Sequence, residues 1–263
     1  MNFGGFIPLS TVDWRGRAVC TVFLRGCPIH CSYCQNEGIL DGYDFRELTD
    51  IEDLIKTSSP YVSGVVFSGG EPTMQKDALV GLARYAKGLG LKVGIQTNGI
   101  FPETISRLLE ENLLDKVALD FKSRFEGYSG KPETSDSQFR NYEKNAKKTF
   151  QICKSAYAKN ILKEFEIVLT VFYENENYIG EISQFIERIP LVLQQGEHKV
   201  LRLRDLPSNI SEGEYREKKR KLKESFHPLT LDEIKRIADK LGRKVRIRTR
   251  EVGEILYKDG VSS

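Results

Sequence analysis

Six short apolar, β-branched runs separated by helix-patterned stretches limit this chain more than any other feature. The runs cover residues 18–24, 62–67, 91–96, 116–121, 165–172 and 199–203, each rich in Val, Ile, Leu or Phe. Between them, 50–56, 75–89, 103–112, 137–158 and 179–189 carry apolar residues at helical spacing, the second ending on a glycine stop. Strand, helix, strand, helix predicts an α/β fold, a parallel sheet covered by helices. Six units are too few for the closed eight-stranded barrel, so an open or partial barrel is expected over residues 1–206.

The stretch 207–263 reads differently and is expected to be a small α+β appendage. Pro207-Ser208-Asn209 opens it as a turn. A charged helix over 212–224 and a second helix over 231–241 follow, with Thr230 as N-cap and Glu233 completing a capping box. Residues 244–249 alternate as a half-buried strand: Lys244, Arg246, Arg248 and Arg250 on one face, Val245, Ile247 and Thr249 on the other. Residues 196–263 hold 18 Lys and Arg against 12 Asp and Glu, whereas the first 195 hold 22 against 25. A basic tail of this kind either meets an acidic or phosphate-bearing surface or is a solvated face. Of the 263 residues 40% are hydrophobic and 29% charged, as in a globular chain. No apolar run reaches membrane-spanning length, and the first thirty residues lack a signal peptide's basic start and apolar core, so a cytoplasmic location without membrane contact is expected.

There are five cysteines, and Cys27, Cys31 and Cys34 fall within eight residues, directly after the first strand run. An odd total clustered in this way does not read as a secreted disulfide scaffold. Three thiolates separated by three and two residues can wrap one corner of an iron–sulfur cube. Zinc is the rival: His30 lies inside the loop, but no distant Cys or His pair completes a four-ligand set. Cys20 lies within a strand run and Cys153 within a helical pattern, where a cysteine acts as a small buried hydrophobe.

Three further motifs stand at strand ends, where sites in such folds gather. Ser68-Gly69-Gly70-Glu71-Pro72-Thr73 follows the second run; its paired glycines permit close approach of a ligand to backbone, and Glu71 supplies a carboxylate. Gln96-Thr97-Asn98-Gly99 ends the third run, although Asn98-Gly99 is also an ordinary turn signal. Asp120-Phe121-Lys122 ends the fourth, its two charged residues sharing one face if the strand continues, and a surface ion pair would serve equally well. Arg25 either brings positive charge toward an anionic group or is the solvated end of a strand.

With these motifs in order, the chain resembles the radical S-adenosylmethionine superfamily, and within it the small activating enzymes of glycyl-radical enzymes. The resemblance spans about residues 3–205. It implies a partial (β/α)6 barrel in which Cys27, Cys31 and Cys34 hold a [4Fe-4S] cluster with one iron left for the cosubstrate, S-adenosylmethionine. It further implies that Tyr33 meets the adenine through its backbone, and that Gly69, Gly70, Glu71 and Pro72 contact the methionyl amino group. Thr97, Asn98, Asp120 and Lys122 would face the same cosubstrate. The implied partners are an electron donor such as flavodoxin or ferredoxin and a glycyl-radical enzyme as protein substrate. Modification of RNA or a small molecule is the alternative, and a non-catalytic zinc-binding module the alternative of another class. The turn after the fifth strand departs from the activating-enzyme pattern.

Overall fold

A computed structural model describes residues 1–29, 31, 33–122, 136–172, 175–196, 211–214, 216–217 and 228–257. Two compact units are distinguished: residues 1–29, 36–121 and 136–167 in the first, and 30–35, 122–135 and 168–263 in the second.

The first unit is built on five strands hydrogen-bonded in chain order: β1 (Phe3–Ser10), β2 (Val19–Leu24), β3 (Gly64–Gly69), β4 (Lys92–Thr97) and β5 (Lys116–Asp120). β1 is antiparallel to β2, while β2 through β5 run parallel. The parallel strands are fully or almost fully buried at Val19, Val22, Val65, Val66, Phe67, Val93, Ile95, Val117 and Leu119. Burial on both faces explains their near-continuous apolar reading in the sequence. The crossovers carry α1 (Leu48–Ser58), α2 (Lys76–Gly88), α3 (Pro102–Glu110) and α4 (Asp136–Ala158). α2 buries Leu79, Val80, Leu82, Ala83 and Ala86 along one stripe, and α3 starts on Pro102, whose missing N–H costs nothing at a helix start.

Register decides where the motifs meet. Leu24 lies opposite Gly69, Phe67 opposite Ile95 and Thr97 opposite Leu119. The carboxyl ends of β2 to β5 therefore lie side by side, and the cysteine loop and the glycine motif leave the sheet at the same end. Near the amino ends, Trp14 is 1% exposed and packs on Val19 and Val66. A Cβ on Gly94 would come within 2.9 Å of the Trp14 ring.

β6 (Glu164–Val171) begins in the first unit and ends in the second, which continues with α5 (Glu176–Phe185), β7 (Leu191–Gln195), α6 (Leu231–Lys240), β8 (Val245–Thr249) and β9 (Gly253–Tyr257). β7 and β8 pair in parallel, β8 and β9 antiparallel. The capping box at Thr230 is present: its Oγ1 accepts the Glu233 N–H at 3.3 Å, and Glu233 Oε2 accepts the Thr230 N–H at 2.7 Å.

The mixed α/β class is as expected, with six strands, β2 to β7, alternating with five helices in the manner of a partial (β/α)6 barrel. Some details differ from the sequence reading, and others fall on residues that the structure does not describe. The expected sixth strand at 199–203 lies outside the described residues, and the sixth strand of the alternation is Leu191–Gln195. α5 stops at Phe185 rather than continuing to 189. β1 and β9 were not anticipated. Most of the expected 212–224 helix, the turn at 207–209 and the proposed 206/207 boundary also fall outside the described residues. Val245, Ile247 and Thr249 are buried as expected, but the basic face is not left to repel itself. Glu254 on β9 accepts from Arg246 at 2.9 Å and from Arg248 at 2.7 Å, and Arg248 also reaches Gln194 at 3.1 Å.

Candidate functional site

The structure brings Cys27, Gly69, Gly70, Glu71, Pro72, Thr97 and Asn98 together in the first unit. The glycine motif lies directly on the root of the cysteine loop. Gly70 N–H donates to the Leu24 carbonyl at 2.9 Å, and Glu71 N–H to the Gly26 carbonyl at 2.7 Å. Gly69 has φ +129, and a Cβ there would stand 2.2 Å from the Leu24 oxygen. A Cβ on Gly70 would stand 2.1 Å from the Gly26 oxygen and 3.2 Å from Cys27 Cβ. Only glycine permits this approach of two backbones. Pro72–Met74 then forms a single 3-10 turn capped by Glu71.

The Glu71 side chain is 1% exposed and its carboxylate is heavily engaged. One oxygen accepts the Thr73 N–H at 3.0 Å, the Thr73 hydroxyl, and the Thr97 hydroxyl at 2.6 Å. The other accepts the Asn98 N–H at 2.8 Å. Burial pushes its pKa up, and these four hydrogen bonds oppose that shift. Glu71 thus fastens the end of β3 to the end of β4. Asp120 ends β5, the strand next to β4, and its carbonyl accepts the Tyr142 hydroxyl at 3.4 Å.

Cys27 Sγ accepts the Ile29 N–H at 3.4 Å and faces the Asn98 side-chain amide at 3.7 Å. In the second unit, Cys34 N–H donates to the Cys31 carbonyl at 3.1 Å. Lys122 Nζ lies 5.2 Å from the centroid of the Tyr33 ring, and the Tyr33 ring centroid is 5.1 Å from that of Phe172. β5 ends at Asp120, so Lys122 lies past the strand and the shared strand face expected for the pair is not formed. His30 is outside the described residues.

Sequence reasoning missed several residues that shape this region. Gln75 Nε2 donates to the Asn2 carbonyl at 2.8 Å and to the Arg25 carbonyl at 3.0 Å, clipping the start of β1 to the cysteine-loop root. Asn36 Nδ2 donates to the Gly69 carbonyl at 3.0 Å. Arg25 donates to the carbonyls of Phe3, Gly38 and Asp41 at 3.0–3.1 Å, a structural clip rather than a solvated strand end. Thr73 was visible as the last residue of its motif and Arg25 as a charge at the end of a strand run; Gln75 and Asn36 gave no such signal.

None of the five cysteines is joined to another in a disulfide. Burial pushes Cys20 up to about 11 and raises Cys153 further, so these two stay protonated in apolar surroundings, as expected. Among the described residues no three His, Cys, Asp or Glu side chains gather as around a single metal ion. The donor chemistry of the loop, three thiols in eight residues with two donors aimed at one sulfur, fits an iron–sulfur cluster.

The model of the radical SAM superfamily matches residues 21–186, from β2 through the end of α5. The chain belongs to the radical SAM superfamily. Membership makes it an enzyme with oxidoreductase-like, radical-generating chemistry, which removes the non-catalytic zinc module, and it implies use of S-adenosylmethionine with an iron–sulfur cluster. This radical SAM chain is 34% identical over 198 residues to a provisionally named glycyl-radical enzyme activating enzyme of Methanocaldococcus jannaschii, covering 74% of this chain and 80% of that protein. It is 29% identical over 193 residues to the 7-carboxy-7-deazaguanine synthase of the same organism, covering 66% of this chain and 76% of the synthase. The solved structure of TYW1 with a lysine-pyruvate adduct bound has a TM-score of 0.52 at 14% identity, over 90% of this chain and 79% of that one, a likeness of fold alone. No helix among the described residues is long and apolar enough to cross a membrane.

Proposed function

We propose that this enzyme holds a [4Fe-4S] cluster through Cys27, Cys31 and Cys34, cleaves S-adenosylmethionine reductively, and installs a glycyl radical on a partner protein. The observation that carries the reading is the packing of the Gly69-Gly70-Glu71-Pro72 motif on the root of the cysteine loop, with no room for a Cβ on Gly69 or Gly70. One small cosubstrate can then touch both the root of the loop at Cys27 and the strand-end motif. When bound, the cluster supplies one electron that breaks the sulfonium carbon–sulfur bond, giving methionine and a 5'-deoxyadenosyl radical that takes a hydrogen atom from the substrate.

The chain's own residues bind and orient. Backbone around Gly69 and Gly70 offers hydrogen-bonding groups to the methionyl end, and Tyr33 offers its backbone to the adenine. Thr97, Asn98, Asp120 and Lys122 complete the proposed cosubstrate surroundings. Glu71 contributes by holding Thr97 and Asn98 in register, its carboxylate already engaged with protein donors. An electron donor such as flavodoxin or ferredoxin completes the system.

Similarity to the provisionally named activating enzyme supports the protein substrate. Similarity to 7-carboxy-7-deazaguanine synthase favours a second reading, a small heterocyclic substrate. The RNA alternative drew on the basic strand face, and two of its four cations are paired with Glu254. The deciding experiment is anaerobic reconstitution and iron and sulfide analysis, then incubation with reductant and S-adenosylmethionine and chromatography of 5'-deoxyadenosine. Candidate glycyl-radical partners are then added and scored for a protein glycyl signal by electron paramagnetic resonance. Deoxyadenosine formation tied to a small heterocycle, with no glycyl signal from any partner, would favour the second reading; no iron and sulfide uptake would sink both.

A further inference from the structure

The Asn98 side chain has a fixed direction. Its Oδ1 accepts the Ile100 N–H at 3.0 Å, and its own backbone N–H is held by Glu71 at 2.8 Å. Nδ2 is thereby turned to Cys27 Sγ, 3.7 Å away. Rotating the amide by half a turn would set Nδ2 against the Ile100 N–H and Oδ1 against the sulfur, two repulsive contacts, so the hydrogen-bond partners determine the orientation. The residue is 6% exposed, so water competes little for the amide. The Ile29 N–H reaches the same sulfur at 3.4 Å.

We propose that Asn98 is a positioning residue for the iron–sulfur cluster, donating a side-chain hydrogen bond to the Cys27 thiolate and raising the cluster's reduction potential. This rests on the reading above, in which Cys27 is a cluster ligand. Adding an electron increases negative charge on the sulfurs, and a donor aimed at one of them stabilises the reduced form more than the oxidised form. The cluster must accept its electron from an external one-electron donor, so a modest change at this sulfur governs how much reduced enzyme is present. Glu71 acts one step further out, since its hydrogen bond to the Asn98 backbone sets where the amide lies.

The test uses the whole chain, anaerobically reconstituted, as wild type, Asn98→Leu and Asn98→Ser. Leucine keeps the volume without the donor; serine keeps a small polar group too short to reach the sulfur. Iron and sulfide are measured first, and the midpoint potential is then titrated with dithionite by electron paramagnetic resonance, without S-adenosylmethionine. Both variants are expected to carry cluster and to titrate lower, with roughly tenfold less reduced cluster at a fixed potential, or about 59 mV for a one-electron couple. An unchanged midpoint in the serine variant overturns the proposal. A shift that appears only after S-adenosylmethionine is added also overturns it, since the amide would then act on the cosubstrate. Failure of the cluster reading itself is distinguishable, because wild type would take up no iron and sulfide.

Discussion

Glu71 accepts the backbone N–H of Asn98 at 2.8 Å, so one buried carboxylate spans the ends of two neighbouring parallel strands. Its remaining bonds go to Thr73 and Thr97, which makes Glu71 a bracket for the region as well as a member of the motif.

Replacing that bracket should register first as lost stability. Glu71→Ala leaves the N–H groups of Thr73 and Asn98 without their acceptor, and each unmet buried donor costs about 1–3 kcal/mol. Glu71→Gln keeps an acceptor oxygen and is expected to lose less. Urea unfolding of the three proteins is the check, and wild-type stability in the alanine variant would contradict the bracket.

Gly70→Ala should prevent the cysteine loop from seating, because its Cβ would fall 2.1 Å from the Gly26 oxygen. Iron uptake on reconstitution is expected to drop sharply. Gly88→Ala, at a helix position with open space around it, is the control and should be neutral or stabilising by about 0.5–1 kcal/mol.

Alanine at Cys27, Cys31 or Cys34 should remove most of the iron and bring 5'-deoxyadenosine formation to background. Alanine at Cys20 or Cys153 should spare both and cost about 1–3 kcal/mol of stability through lost packing. Loss of iron in the Cys153 variant would undo the assignment of ligands.

How much of this was legible in advance follows from burial. Parallel strands covered on both faces, such as β3 and β4, must be apolar almost throughout, and their runs were read to within two residues and one residue at each end, respectively. β1 contains Gly4, Gly5 and Pro8, which an edge strand tolerates and a sequence pattern discounts. β7 was missed because the helical spacing of α5 was carried past Phe185 up to Pro190, leaving Leu191–Gln195 to be read as a connection. The site divides the same way. Spacing revealed the cysteines and the glycine motif, because both are local. The hold of Glu71 on Thr97 depends on Phe67 lying opposite Ile95, and that register is a long-range property. The basic face of β8 was legible, but its partner Glu254 was not, since the hairpin that delivers it was unseen.

The pH response should centre on Asp115. Burial alone would push this carboxyl up, but hydrogen bonds from Lys87 at 2.6 Å, the Val93 N–H at 2.9 Å and Lys92 at 3.0 Å outweigh it and hold the pKa below the ordinary carboxylate value. A depressed folded-state pKa gives stability that is present above the unfolded carboxylate pKa and lost as pH falls through the lowered one. Asp115→Asn should therefore lose about 1–3 kcal/mol at neutral pH, and its deficit relative to wild type should shrink on acidification. A deficit independent of pH, measured by thermal unfolding across that range, would assign the loss to packing.

Arg246→Glu combined with Arg248→Glu should lower the melting temperature, because three carboxylates would then crowd the place where Glu254 now binds two guanidinium groups. An unchanged melting temperature alongside lost transfer-RNA binding would restore the basic face as a nucleic-acid surface.

The indole N–H of Trp14 donates to Glu164 at 2.9 Å across a sequence separation of 150 residues. A chain emerging from its amino end has made β2 through β5 before that acceptor exists. Until β6 is synthesised, the largest side chain at the lower end of the sheet has neither its hydrogen-bond partner nor the strand that carries it. Closing so long a loop is entropically costly and comes late. That end of the sheet therefore cannot be sealed before β6 is made, and a nascent chain stopped short of β6 would carry most of the cysteine-loop scaffold on an unfinished floor.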